Sequence, residues 1–78
     1  MREKKPYFVV TYFTTAEAMA TERICKGKGL EGKLISAPRS VSADCGIAWR
    51  CDPENKDRTV EVLTDAKIEV QGFHDLVL

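Results

Sequence analysis

The chain has 78 residues and no formal net charge, with 44% hydrophobic and 31% charged residues. That is the composition of a soluble globular domain rather than a disordered segment, and a neutral balance gives no field to draw nucleic acid or an anionic membrane. A chain this short buries only about 60–65% of its unfolded surface, so the core is modest and a partner has surface left to cover.

The whole chain, 1–78, reads as one domain with residues 1–6 as a free N-terminal tail. The basic start Arg2-Glu3-Lys4-Lys5 leads into an apolar stretch too short for a signal-peptide core or a spanning helix, which places the chain in the cytosol, without membrane contact. Tyr7 to Phe13 is β-branched and aromatic and predicts the first strand. Thr14 and Thr15 supply N-cap candidates, and Ala16 to Lys28 reads as a helix. Two faces of that helix compete for the core, Ala16/Ala20/Ile24 and Ala18/Met19/Cys25; the second is preferred, with Cys25 buried as a small apolar residue.

Lys33 to Ala37 predicts a second strand, ended by Pro38. Pro38 to Asp44 is a loop longer than a tight hairpin needs, and Gly46 to Cys51 is the third strand. Asp52-Pro53-Glu54 opens a second helix with an acidic cap and a proline in its first turn, and Val60, Leu63 and Ala66 form its apolar stripe, with Val62 beside it. Lys67 to Gln71 reads as the fourth strand, broken by Gly72, with 73–78 as an extended tail. The order strand–helix–strand–strand–helix–strand predicts a ferredoxin-like split β-α-β sandwich, four antiparallel strands with both helices on one face.

Three cysteines, at 25, 45 and 51, make an odd set with no Cys-x-x-Cys pair, so neither a disulfide framework nor a structural zinc site is expected. No glycine-rich phosphate loop or acid–base motif is present, and no cofactor is expected. His74 reads as an exposed terminal histidine, its neighbour Asp75 pointing to the opposite face, and Trp49 as core. Glu54 to Arg58 reads as a solvated helix face.

The informative thiol is Cys45. It stands between Asp44, a turn former, and Gly46, in Ser42-Ala43-Asp44-Cys45-Gly46, where a cysteine kept for packing would have apolar neighbours. Pro38 and Arg39 precede it, and Arg39 supplies a cation that favours a thiolate. The predicted topology also sets Cys45 near the start of the first helix, around Thr14 and Thr15, where free N–H groups and the helix dipole favour an anionic sulfur. Asp44 opposes ionisation unless it turns away or pairs with Arg39. Cys51 lies six residues along the same strand, roughly 20 Å away at about 3.3 Å per residue, too far to pair with Cys45.

Thr14-Thr15-x-Glu17-Ala18, Lys33-Leu34-Ile35-x-x-Pro38-Arg39 and Ser42-Ala43-Asp44-Cys45-Gly46 together resemble a family of small bacterial and archaeal selenium/sulfur carrier-like proteins, over about Tyr7 to Phe73. The family's Pro-Arg element falls on Pro38 and Arg39 and its loop cysteine on Cys45. Trp49 and Cys51 depart from the aliphatic strand usual in the family. The resemblance implies a carrier rather than a turnover enzyme: Cys45 holds a persulfide or selenopersulfide, received from a donor protein and yielded to an acceptor protein. The alternative is a non-catalytic interaction or regulatory module that uses the open sheet face, lined by Tyr7, Val9, Thr11, Ala48 and Arg50, for a homodimer or another partner.

Overall fold

The computed structural model describes residues 4–41 and 43–78. Alternating side chains in β1 (Pro6–Thr11) send Phe8 and Val10 to one face and Tyr7, Val9 and Thr11 to the other. The chain crosses through α1 (Thr15–Gly27) to β2 (Lys33–Ser36), returns along β3 (Ile47–Cys51), passes a short 3-10 turn at Pro53–Asn55 into α2 (Lys56–Asp65), and ends with β4 (Gly72–Val77). The strands lie in the order β2-β3-β1-β4, every neighbouring pair antiparallel. This is the expected α+β architecture, compatible with a split β-α-β sandwich.

Phe8 stands opposite Cys51, and Val10 opposite Trp49, across the β1–β3 ladder. Their shared face meets Ala18 and Cys25 of α1 and Val62 and Leu63 of α2 in one apolar cluster, so both helices pack on the same side. Trp49 and Phe8 are almost wholly buried, each contributing about 1.5–3 kcal/mol at ordinary transfer values. On α1 the preferred face is corrected in part. Ala18 and Cys25 are buried, but Thr21 completes the row and Met19 is 58% exposed. The Thr21 hydroxyl donates to the Glu17 carbonyl at 2.9 Å, which is how a polar side chain is accommodated there. On α2, Val62 and Leu63 are buried with Thr59, while Ala66 has left the helix and is exposed.

The fourth strand is not at Lys67 to Gln71. It starts at Gly72 and pairs with the full length of β1, Pro6 opposite Val77 through Thr11 opposite Gly72. Residues 67 and 68 belong instead to the end of α2. The Ile68 N–H donates to the Leu63 carbonyl and the Lys67 N–H to that of Thr64, both at 3.1 Å, with Lys67 at φ 56°. These paired bonds close a Schellman motif. Ile68 and Val70 do pack on the core, but as parts of a connection. Of the expected tail, residues 1–3 lie outside the described residues, while Lys5 exchanges both backbone hydrogen bonds with Leu78 at 2.9 Å.

Candidate functional site

The β2–β3 connection builds the cysteine loop from two successive turns. The Val41 N–H donates to the Pro38 carbonyl at 3.1 Å, and the Gly46 N–H to the Ala43 carbonyl at 2.9 Å. Gly46 has φ +75°, a left-handed value that a residue with a Cβ adopts only under strain. Behind it the ladder takes one further step, Ala37 N–H to Gly46 carbonyl at 2.9 Å. Cys45 therefore occupies the third place of a closed turn at the mouth of the β2–β3 hairpin.

Its thiol donates to the Ile47 carbonyl at 3.2 Å. The residue is half-buried, with one side against the apolar cluster. Run three steps past its last pair, Thr11 opposite Ala48, the β1–β3 register reaches Thr14 and Cys45. The exit of β1, the start of α1 and the cysteine turn thus share one end of the sheet.

The surrounding polar groups divide unevenly. Thr14 is the N-cap of α1, and its hydroxyl and backbone N–H both go to the Glu17 carboxylate, the N–H at 3.1 Å. This reciprocal cap uses Glu17 to fix the helix start. Thr15, the first helical residue, is exposed, and Pro38 is half-buried. Arg39 is exposed and makes no hydrogen bond or ion pair with a described residue; Ser42 lies outside the described residues. Asp44 turns to Gln71. Its backbone N–H donates to Gln71 Oε1 at 2.9 Å, and Gln71 Nε2 donates back to Asp44 Oδ1 at 3.4 Å. The Gln71 N–H in turn donates to the Thr11 carbonyl at 2.8 Å. Gln71 was not legible as a site residue, because nothing in its sequence neighbourhood announces a contact 27 positions away.

The other two thiols are enclosed. Burial pushes the Cys25 thiol above its ordinary pKa, with the nearby Cys51 adding to the effect. Burial also raises that of Cys51; the Thr59 hydroxyl at 3.6 Å tempers the rise and the nearby Asp52 carboxylate adds to it. All three cysteines are free. Tyr12, just beyond β1, is fully buried with its hydroxyl unpartnered among the described residues.

His74 corrects its sequence reading. It is half-buried in β4 on the open face, its Nε2 at 3.2 Å from the Thr11 hydroxyl, while Asp75 faces the helices and pairs with Lys56 at 3.2 Å. An open pocket lined by Tyr7, Lys33, Arg50, Cys51 and Asp52 lies at the far end of β3 from Cys45. No helix among the described residues is long and apolar enough to cross a membrane.

Comparison with known families matches the chain, over residues 7–75, to the family described as "Putative Se/S carrier protein-like". Neither the curated proteins nor the solved structures contain a match. The matched span runs from β1 to β4 and includes both helices and the whole cysteine loop. The chain belongs to this Se/S carrier-like family.

Proposed function

We propose that the chain carries sulfur or selenium on Cys45, as a persulfide or selenopersulfide, between a donor and an acceptor in the cytoplasm. The observation that carries this reading is the sorting of the thiols: Cys25 and Cys51 are sealed in the core, and Cys45 alone reaches solvent. In loading, the Cys45 thiolate attacks the outer sulfur of a donor persulfide. The donor S–S bond breaks, its inner sulfur leaves as a thiolate, and a new S–S bond forms on Cys45. An acceptor thiolate attacking the outer atom takes it away and returns the Cys45 thiolate; attack on the inner sulfur yields a mixed disulfide instead. Contact of the inner sulfur with the apolar cluster supports the first outcome over the second. In this reading Arg39 and the start of α1 at Thr14 and Thr15 favour the anion through the guanidinium charge and the helix dipole, the Thr14 hydroxyl and N–H being already taken by Glu17, and Pro38, Asp44 and Gly46 shape the loop.

The test is incubation with a cysteine desulfurase and sulfur-labelled cysteine, followed by peptide mapping without reductant. Label is expected on Cys45, lost in Cys45→Ser and retained in Cys51→Ser. Equal loading of Cys45→Ser defeats the carrier reading.

A second reading, an interaction module binding a partner or a second copy of the chain, is favoured by the uncovered sheet face. There the Arg50 guanidinium lies 4.4 Å over the Tyr7 ring, amid the half-buried Ile35, His74 and Leu76. Sedimentation of the wild type and of Arg50→Glu separates it from the first: an assembly lost in the variant supports it, and a monomer in both leaves the face unused by a second copy.

A further inference from the structure

The two edges of the sheet are not alike. β2 is four residues long, exposes Lys33 and Ser36, and runs on to Pro38, a short and charged form in which proteins commonly blunt an edge. β4 is six residues long and pairs with β1 without a bulge, and it contains neither lysine nor proline. Lys5 and Leu78 exchange both backbone hydrogen bonds. By the alternation of an antiparallel ladder, the even-numbered residues of β4 therefore bond to β1. The N–H and C=O groups of Phe73, Asp75 and Val77 face away from the sheet, and no further strand among the described residues takes them.

These three residues also send their side chains to the helix side, yet the helices leave them bare. Phe73 is 47% and Val77 61% exposed, although the Phe73 ring stacks on the buried Phe8 at 5.7 Å. Asp75 stands between them, its charge answered by Lys56 at 3.2 Å. A free backbone edge and exposed apolar side chains thus coincide on one strand.

We propose that β4 pairs antiparallel with β4 of a second copy, about a two-fold axis at Asp75, joining two four-stranded sheets into one. An axis normal to the sheet keeps helix-side residues against helix-side residues. With Asp75 opposite its own copy, Phe73 meets Val77 of the second copy on the helix side, and His74 meets Leu76 on the open face. All the outward backbone groups of Phe73, Asp75 and Val77 are then paired. A shift of two residues either way would set Asp75 against an apolar side chain, Phe73 or Val77. The central like-charge pair is unfavourable by itself. It falls, however, at the wider, hydrogen-bonded spacing of about 5.5 Å, and the Lys56 of each copy makes the cluster neutral. This match is a property of the strand against itself, which is why a second copy is the occupant. It is independent of the carrier reading, and it keeps the thiols apart. The Asp44–Gln71 contact ties each cysteine turn to the Gly72 end of β4, and the axis sends the two ends about 20 Å apart along the strand, at about 3.3 Å per residue.

The test follows the full chain from about 10 μM to about 1 mM by sedimentation and by residue-resolved amide exchange. The mass is expected to move from one chain to two, and the N–H groups of Phe73, Asp75 and Val77 to slow at least about tenfold over the same range. Val77→Pro removes an outward donor and leaves the bonds of Leu76 and Leu78 to β1 in place. It is expected to weaken the dimer about tenfold or more, the scale of two lost hydrogen bonds, while Arg50→Glu, on the open face, dimerises as wild type does. The exchange measurement on wild type stands even where Val77→Pro disturbs the fold. A monomer whose three N–H groups exchange freely at the highest concentration overturns the second copy and leaves the edge to a foreign strand. A dimer lost in Arg50→Glu, with those three groups unprotected in wild type, overturns it in favour of the open face.

Discussion

Gly46 and Cys45 make one structural unit, because the turn that presents the thiol is closed by the residue after it. A Cβ at Gly46 would meet nothing within 4 Å, so the obstacle to substitution is the backbone angle alone. A left-handed non-glycine residue costs roughly 1–2 kcal/mol, offset by about 0.4–1 kcal/mol from the stiffer unfolded chain. Gly46→Ala is therefore expected to lose about 1 kcal/mol in urea unfolding and to reduce loading of Cys45. A loss above about 3 kcal/mol would mean that the turn supports more of the fold than its contacts indicate. The turn was legible from Asp44 and Gly46 themselves. The engagement of Asp44 with Gln71 was not, because it depends on where β4 begins.

At the scale of elements, the two helices end in the same way with different residues. α1 closes with Gly29 at φ 71°, the Leu30 N–H donating to the Cys25 carbonyl at 2.9 Å. α2 closes with Lys67 in the equivalent place. Lysine there bears strain that glycine does not, so Lys67→Gly is expected to raise stability by up to about 1 kcal/mol, after the larger unfolded-state entropy of glycine is set against the relief. A lower melting temperature in this variant would contradict the assignment.

The same lysine explains why the last strand was misplaced. Without a glycine the end of α2 carries no visible stop, and Ile68 and Val70 alternate as strand residues do. Their apolar side chains serve the helix cap and the connection instead. The start of α2 also differs, since Asp52-Pro53-Glu54 opens a 3-10 turn and the α-helix begins at Lys56; the other elements were legible within a residue or two, because strand residues cluster at 7–11 and 47–51 and Thr14 carries its own cap signal. On α1 the competing faces were a real ambiguity. The solution, Thr21 inside and Met19 outside, relies on a hydroxyl returning its proton to the preceding turn.

Across the whole molecule, the acids of the core are all of one kind. Cys25, Cys51 and Tyr12 each have their pKa raised, with burial the first cause in every case. In the unfolded chain the thiols ionise near about 8.5 and the phenol near about 10, while the folded chain retains those protons. Between the unfolded and the folded values the native state binds more protons, so stability falls as pH rises. The expected profile is free of these contributions below about pH 8 and declines above it, with Cys25→Ala reducing the slope first. Stability that stays constant from pH 8 to 10 would show that these groups ionise as readily in the fold as outside it. The α+β class and the family were legible from pattern and motif. The enclosure of Tyr12 was not, because an aromatic residue at a strand end gives no sign of whether its hydroxyl is satisfied.

The clasp between Asp44 and Gln71 joins the cysteine turn to a residue made 27 positions later in the chain. During synthesis the thiol leaves the ribosome well before the residue that steadies its turn, and before the strand that pairs with the free edge of β1. In the carrier reading, a defined place for the cargo is thus complete only once β4 has paired, not with the cysteine itself. A chain cut short before Gln71 would display the thiol without the clasp.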